Sequence, residues 1–103
     1  MNPTLYFPDW REQVTYTSNG PQPTVLRADD KAKVILAGLE AGQRIPEHPE
    51  AAAVYHFLDG AGCMTVDGQP YDVGPGATIV MSAGAVRGLE ARTRLAFLAV
   101  RVA

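Results

Sequence analysis

Gly42 to Arg87 reads GQRIPEHPEAAAVYHFLDGAGCMTVDGQPYDVGPGATIVMSAGAVR, and the way its apolar runs are cut decides the fold. Val54 to Leu58, Cys63 to Val66, Tyr71 to Val73 and Ala77 to Met81 are short runs set apart by Asp59-Gly60, Asp67-Gly68, Gly74-Pro75-Gly76 and Ser82-Ala83-Gly84. Runs of that length between such punctuation form antiparallel strands joined by tight turns. Asp67-Gly68 is the sharpest signal, because a type I′ turn needs positive φ at both central positions, which aspartate tolerates and glycine adopts freely. The alanine run Ala51 to Ala53 is too short for a helix and follows closely on Pro49.

Outward from this stretch the same pattern continues. Lys33 to Leu39 predicts a strand, ended by Glu40-Ala41-Gly42, and the solvated turn Asp29 to Lys33 precedes it. Residues 1–30 hold Pro3, Pro8, Pro21 and Pro23 beside Asn19-Gly20, so only short strands fit, at Val14 to Thr17 and Thr24 to Arg27. Edge positions suit them, since a proline there costs no ladder bond. Tyr6, Phe7 and Trp10 form an aromatic patch that reads either as an arm on a partner subunit or as a plug over one barrel end. Thr93 to Val102 predicts a long final strand with little alternation, hence covered on both faces. The expected organisation is one domain: an N-terminal arm with edge strands over residues 1–30 and a barrel over residues 31–103. About eight to ten short strands and no helix imply a closed or doubled antiparallel sheet of the jelly-roll kind.

A chain of 103 residues builds one core with a pocket of modest size, and with 47% apolar and 19% charged residues it should fold. A net charge of -2, with no basic cluster, argues against nucleic acid and anionic membrane as partners. No apolar run reaches the length of a membrane span, and the first residues lack the basic and apolar regions of a secretory signal, so a cytoplasmic location is expected. Cys63 alone makes neither an internal disulfide nor a thiolate metal site and reads as a small apolar strand residue. No GxSxG elbow, phosphate loop or zinc-type cysteine pairing occurs.

With these strands and turns in hand, the chain resembles a small single-domain cupin of the RmlC-like type. That family carries two motifs, G(X)5HXH(X)3,4E(X)6G and G(X)5PXG(X)2H(X)3N; here Gly42, His48 and Gly60 fit the first, and Gly76 and Gly84 fit the second. The resemblance implies an all-β, cupin-type double-stranded β-helix, that is, a jelly-roll barrel, with a pocket inside it and a homodimeric assembly. It also implies a divalent metal held by three histidines and a glutamate. Carried over by position, the second histidine is Glu50, the glutamate falls on Ala53 and the third histidine is Arg87; the motif's proline is Ser82 and its asparagine Ala91. The segment after Glu50 is shorter than the pattern, so Ala53 is placed by counting back from Gly60.

His48 and Glu50 supply two donors where a catalytic metal takes about three from the protein, and the Arg87 guanidinium has no lone pair to offer. No cofactor is therefore expected, with a divalent metal on His48 and Glu50 as the alternative. The leading expectation is a barrel that binds a small organic molecule, with Arg87 anchoring an anionic oxygen, His48 and Glu50 beside it, and Tyr55, Phe57, Met64 and Met81 as apolar lining. Arg87 could instead pair with Glu50 or Glu90 and merely close the barrel mouth. His48, among Glu47 and Glu50, is also a candidate general acid or base, which gives a second reading as a metal-independent isomerase or lyase, or else as a metal-dependent oxygenase whose ligands include His48, Glu50 and His56. A third reading is a structural or regulatory dimer whose interior is filled by side chains. Alternation with Ala53 inward sends Tyr55 and Phe57 inward and His56 outward, and a slip of one residue would reverse this.

Overall fold

The computed structural model describes residues 3–102. A short 3-10 turn at Trp10–Glu12 precedes nine strands: β1 Gln22–Ala28, β2 Ala32–Leu39, β3 Arg44–Pro49, β4 Ala52–Asp59, β5 Gly62–Val66, β6 Gln69–Val73, β7 Thr78–Met81, β8 Val86–Ala91 and β9 Leu95–Val102. They form a larger sheet in the order β1-β2-β9-β4-β7 and a smaller one in the order β3-β8-β5-β6, each pairing antiparallel. The fold is the all-β jelly-roll barrel that the resemblance implies.

Alternation builds the core. Ala53, Tyr55 and Phe57 of β4 point between the sheets, as do Leu95, Phe97 and Ala99 of β9, and they meet Met64 of β5 and Leu89 of β8. Burying each large apolar side chain contributes about 1.5–3 kcal/mol before entropy is counted. The Tyr55 and Phe97 rings pack at 5.2 Å between centroids, and Phe57 and Phe97 at 5.6 Å. The β5–β6 hairpin closes through Asp67 at φ 51 and Gly68 at φ 80, the two positive values a type I′ turn requires.

Four features differ from the sequence reading. β3 and β8 are strands the apolar pattern does not reveal: β3 carries Pro46 and Pro49 and tolerates them at the edge of the smaller sheet, and β8 is short and interrupted by Arg87 and Gly88. Residues 14–17 form no strand; the segment crosses the outer face of the larger sheet, and the Thr17 carbonyl accepts from Gln43 Nε2 at 2.6 Å instead of from a ladder. Gly38 makes that crossing possible, because an added Cβ would collide with the Thr15 carbonyl oxygen and the Tyr16 ring. The aromatic segment is correspondingly no plug: Phe7 and Trp10 lie along the outer side of the larger sheet, against Leu36, Leu58 and Leu98. Finally, β9 does alternate, with Leu98 and Val100 half-buried on the outer face and the inward row ending in Arg101.

No helix among the described residues is long and apolar enough to cross a membrane.

Candidate functional site

The barrel opens between one edge strand of each sheet. β1 and the residue before it supply Pro23 and Pro21 on one side, β3 supplies Arg44, Ile45 and Pro46 on the other, and between them lies a cavity of about 300 Å³. Ile35, Phe97 and Ala99 make its wall apolar, whereas Tyr55, Arg87 and Arg101 bring polar groups to it.

Arg87 is the one charged residue buried among the described residues, at 3% exposure. Its place follows from β8, where Arg87, Leu89 and Ala91 share the inward face, and from the β3–β8 register, which sets it opposite His48. The guanidinium is heavily engaged. Nε donates to the Tyr55 hydroxyl at 3.0 Å, one terminal nitrogen donates to His48 Nδ1 at 3.1 Å and to the Pro46 carbonyl at 3.5 Å, and the other meets Glu50 Oε2 at 2.8 Å. Tyr55 in turn donates its hydroxyl proton to Glu50 Oε2 at 3.1 Å.

Glu50 stands just beyond β3, where backbone bonds hold it: its N–H donates to the Ala85 carbonyl at 3.0 Å and its carbonyl accepts from Gly84 at 2.8 Å. Burial pushes its carboxyl up, but the charges of Arg101 and Arg87 and the hydrogen bonds from Tyr55 and Arg87 together outweigh this and hold it below the usual carboxylate range. Arg101 is the second cation here. Its Nη2 lies 3.4 Å from Glu50 Oε2, and its buried Nε has no hydrogen-bond partner among the described residues.

The expected pairing of Arg87 with Glu50 is present, and Glu90 instead holds Arg44 at 2.9 Å on the outer face. His48 is exposed and reaches the cluster through Nδ1 alone. Arginine has no acceptor, so Nδ1 must be the unprotonated nitrogen in that bond. Phe57, Met64 and Met81 are buried deeper in the core and do not line the cavity. His56 faces outward, with Nδ1 2.7 Å from Thr78 Oγ1. Sequence reasoning missed Arg101 and Arg44. The signal for Arg101 was the alternation Leu95, Phe97, Ala99, which carries position 101 inward.

These residues do not fit a divalent cation. No group of three or more His, Cys, Asp or Glu side chains converges among the described residues. The His48 lone pair at Nδ1 is occupied by Arg87, and two fixed positive charges flank the Glu50 carboxylate. What the arrangement can do is neutralise an anion: two guanidinium groups share one carboxylate beside an apolar cavity, leaving one positive charge in excess.

Residues 35–101 match the cupin domain family model. No curated protein sequence matches the chain. Among solved structures, a conserved protein of unknown function from Streptococcus pyogenes superposes with a TM-score of 0.85 at 26% identity, over 98% of this chain and 90% of that one. An RmlC-like cupin from Desulfovibrio desulfuricans gives 0.79 at 20% identity, over 99% and 96%. A salicylate 1,2-dioxygenase from Pseudaminobacter salicylatoxidans gives 0.74 at 15% identity, covering 84% of this chain but 27% of the enzyme, and shares the fold. With its family model spanning most of the barrel, the chain belongs to the cupin domain family.

Proposed function

We propose that this protein binds a small organic molecule bearing a carboxylate, in the cavity between β1 and β3, without a metal ion and without turnover of its own. One observation carries the reading: two guanidinium groups converge on a single carboxylate beside an otherwise apolar cavity of about 300 Å³. Apolar walls with a few convergent polar groups are the usual make-up of a small-molecule site, and arginine pairs are the usual answer to a carboxylate. A filled structural barrel has less support, because a cavity of this size is too large for a packed interior. An acid–base role for His48 also has less support, since its Nδ1 is engaged by the cation beside it.

The test combines elemental analysis of protein purified without chelators with thermal unfolding in sodium acetate, isovalerate and benzoate against their amides. The expected result is no stoichiometric iron, manganese, nickel or zinc, and a melting temperature raised by a carboxylate but not by its amide, as mass action requires. Near-stoichiometric metal, or equal shifts from acid and amide, would defeat the proposal.

A further inference from the structure

We propose that Arg101, not Arg87, is the side chain that receives the ligand's carboxylate, and that Glu50 is a built-in stand-in which the ligand displaces from it. The inference rests on the organic-anion reading above and adds which arginine is free and what holds its place.

The two arginines differ in how much of their donor capacity is spent. Arg87 already gives hydrogen bonds to Tyr55, His48 and Pro46 and a 2.8 Å contact to Glu50. One Nη2 hydrogen of Arg87 remains unspent, but a carboxylate could take its side-on edge only by displacing Tyr55 and Glu50. Among the described residues Arg101 has one polar contact, the 3.4 Å approach of Nη2 to Glu50, and its buried Nε has no partner there. Buried donors without acceptors are rare in folded proteins, and an acceptor supplied by a ligand would satisfy this one. Nε and Nη2 are also the two donors of the guanidinium's side-on edge, the geometry that takes both oxygens of a carboxylate at once. Glu50 reaches only the Nη2 half of that edge, and loosely.

The surroundings define the ligand class. Arg101 continues the inward row Phe97 and Ala99 and lines the cavity with them, facing Ile35, Pro21 and Pro23. A carboxylate on the Arg101 edge therefore leaves its body against apolar side chains, and the volume suits a compact branched or single-ring body. The ligand is a monocarboxylate of that kind. Glu50 is held ionised by its surroundings and so occupies the cation as a carboxylate when the cavity is empty. Because Glu50 also touches Arg87 and Tyr55, it keeps those two partners when it gives up Arg101.

The experiment follows the arginine Nε–Hε signals of nitrogen-15-labelled protein during titration with sodium benzoate, isovalerate and acetate, with benzamide as the neutral control. The wild type is compared with Arg101→Lys, which keeps the charge but loses the fork, and with Glu50→Gln, whose fold is checked by its melting temperature. Support is a saturable shift of the Arg101 signal, about tenfold weaker carboxylate binding in Arg101→Lys, and several-fold tighter binding in Glu50→Gln. If a carboxylate binds but moves Arg87 instead, or binds Arg101→Lys as tightly as wild type, the assignment to Arg101 is overturned while the anion reading stands. If Glu50→Gln weakens binding, Glu50 is a ligand contact and not a stand-in. If no carboxylate moves any cavity residue in wild type or Glu50→Gln, the anion reading itself falls and takes this inference with it.

Discussion

Arg101 stands directly across the β4–β9 ladder from Ala53. Ala53 is buried at 3% exposure and is flanked on its other side by Met81 of β7. Counted back from Gly60, the motif's glutamate falls at this position. Here the carboxylate that meets Arg101 is Glu50, beyond the end of β3, and a cation comes from the strand next to Ala53. A methyl group at 53 leaves the inward space that the long Arg101 side chain needs.

Ala53→Leu should therefore act on both stability and site. Adding three carbons to a packed position costs about 1–3 kcal/mol, and the added branch presses on Arg101 from across the ladder. We expect a lower urea midpoint with an unchanged m-value, together with weakened carboxylate binding. Loss of stability with binding intact would show that Ala53 and Arg101 do not share space on the inward face.

Removing Arg87 should be among the most damaging single changes in the chain. Arg87→Met fills similar volume but leaves Tyr55 without its donor and leaves Glu50 with only the Tyr55 hydroxyl and the 3.4 Å contact to Arg101. Breaking a buried pair in this way costs about 3 kcal/mol, because one charge stays buried without its partner. Equilibrium urea unfolding measures the loss. Adding Glu50→Gln to Arg87→Met should recover part of it, since the stranded charge is then gone; strictly additive losses would show that the two side chains do not interact.

The pH dependence has a definite sign. Glu50 has a folded pKa below its unfolded one, which for a free glutamate is about 4.3. Such a group adds stability that is fully present above the unfolded value and is lost as pH falls through the folded value. The stability difference between wild type and Glu50→Gln should stay level from neutral pH to about pH 5 and shrink in more acid solution. Asp29, held low by the Lys31 and Ala32 N–H groups, and Glu40, held low by Arg94, titrate alike in both proteins and cancel in the difference. A difference that stays constant into strong acid would mean that Glu50 gains nothing from being charged in the fold.

The frame was legible because its signals are local. Asp67-Gly68, Gly74-Pro75-Gly76 and the apolar runs between them depend on φ preferences and alternation that act over two to five residues. The site was legible where it coincides with the motif positions His48, Glu50 and Arg87, which the barrel brings together. It was not legible at Arg101, because a strand read as covered on both faces has no distinguishable inward row, and so the alternation ending in arginine went unused. β3 and β8 escaped for a related reason. Their sequences, RIPEHP and VRGLEA, are shaped by charged and proline residues, and their strand character comes from pairing with each other. The depth of Phe57, Met64 and Met81 could not be read either, since inward orientation does not say whether a side chain reaches the cavity or ends in packed core.

We propose that the far edge of the larger sheet is the contact of a homodimer. Val80 of β7 is 76% exposed, its cross-strand partner Val54 is 37% exposed, and Val100 lies across from Val54 on the next strand. β7 is an edge strand with no strand beyond it, so an open row of backbone donors and acceptors runs beside this valine patch. Exposed apolar residues gathered along a strand edge mark an association surface more often than single scattered ones do. Size-exclusion chromatography with light scattering should give a mass of about twice the 11.0 kDa chain. Val80→Lys puts a charge on the patch without touching the inward face, so it should shift the protein to monomer while carboxylate binding persists. A monomeric wild type, or a dimer unaffected by Val80→Lys, would exclude this edge as the contact.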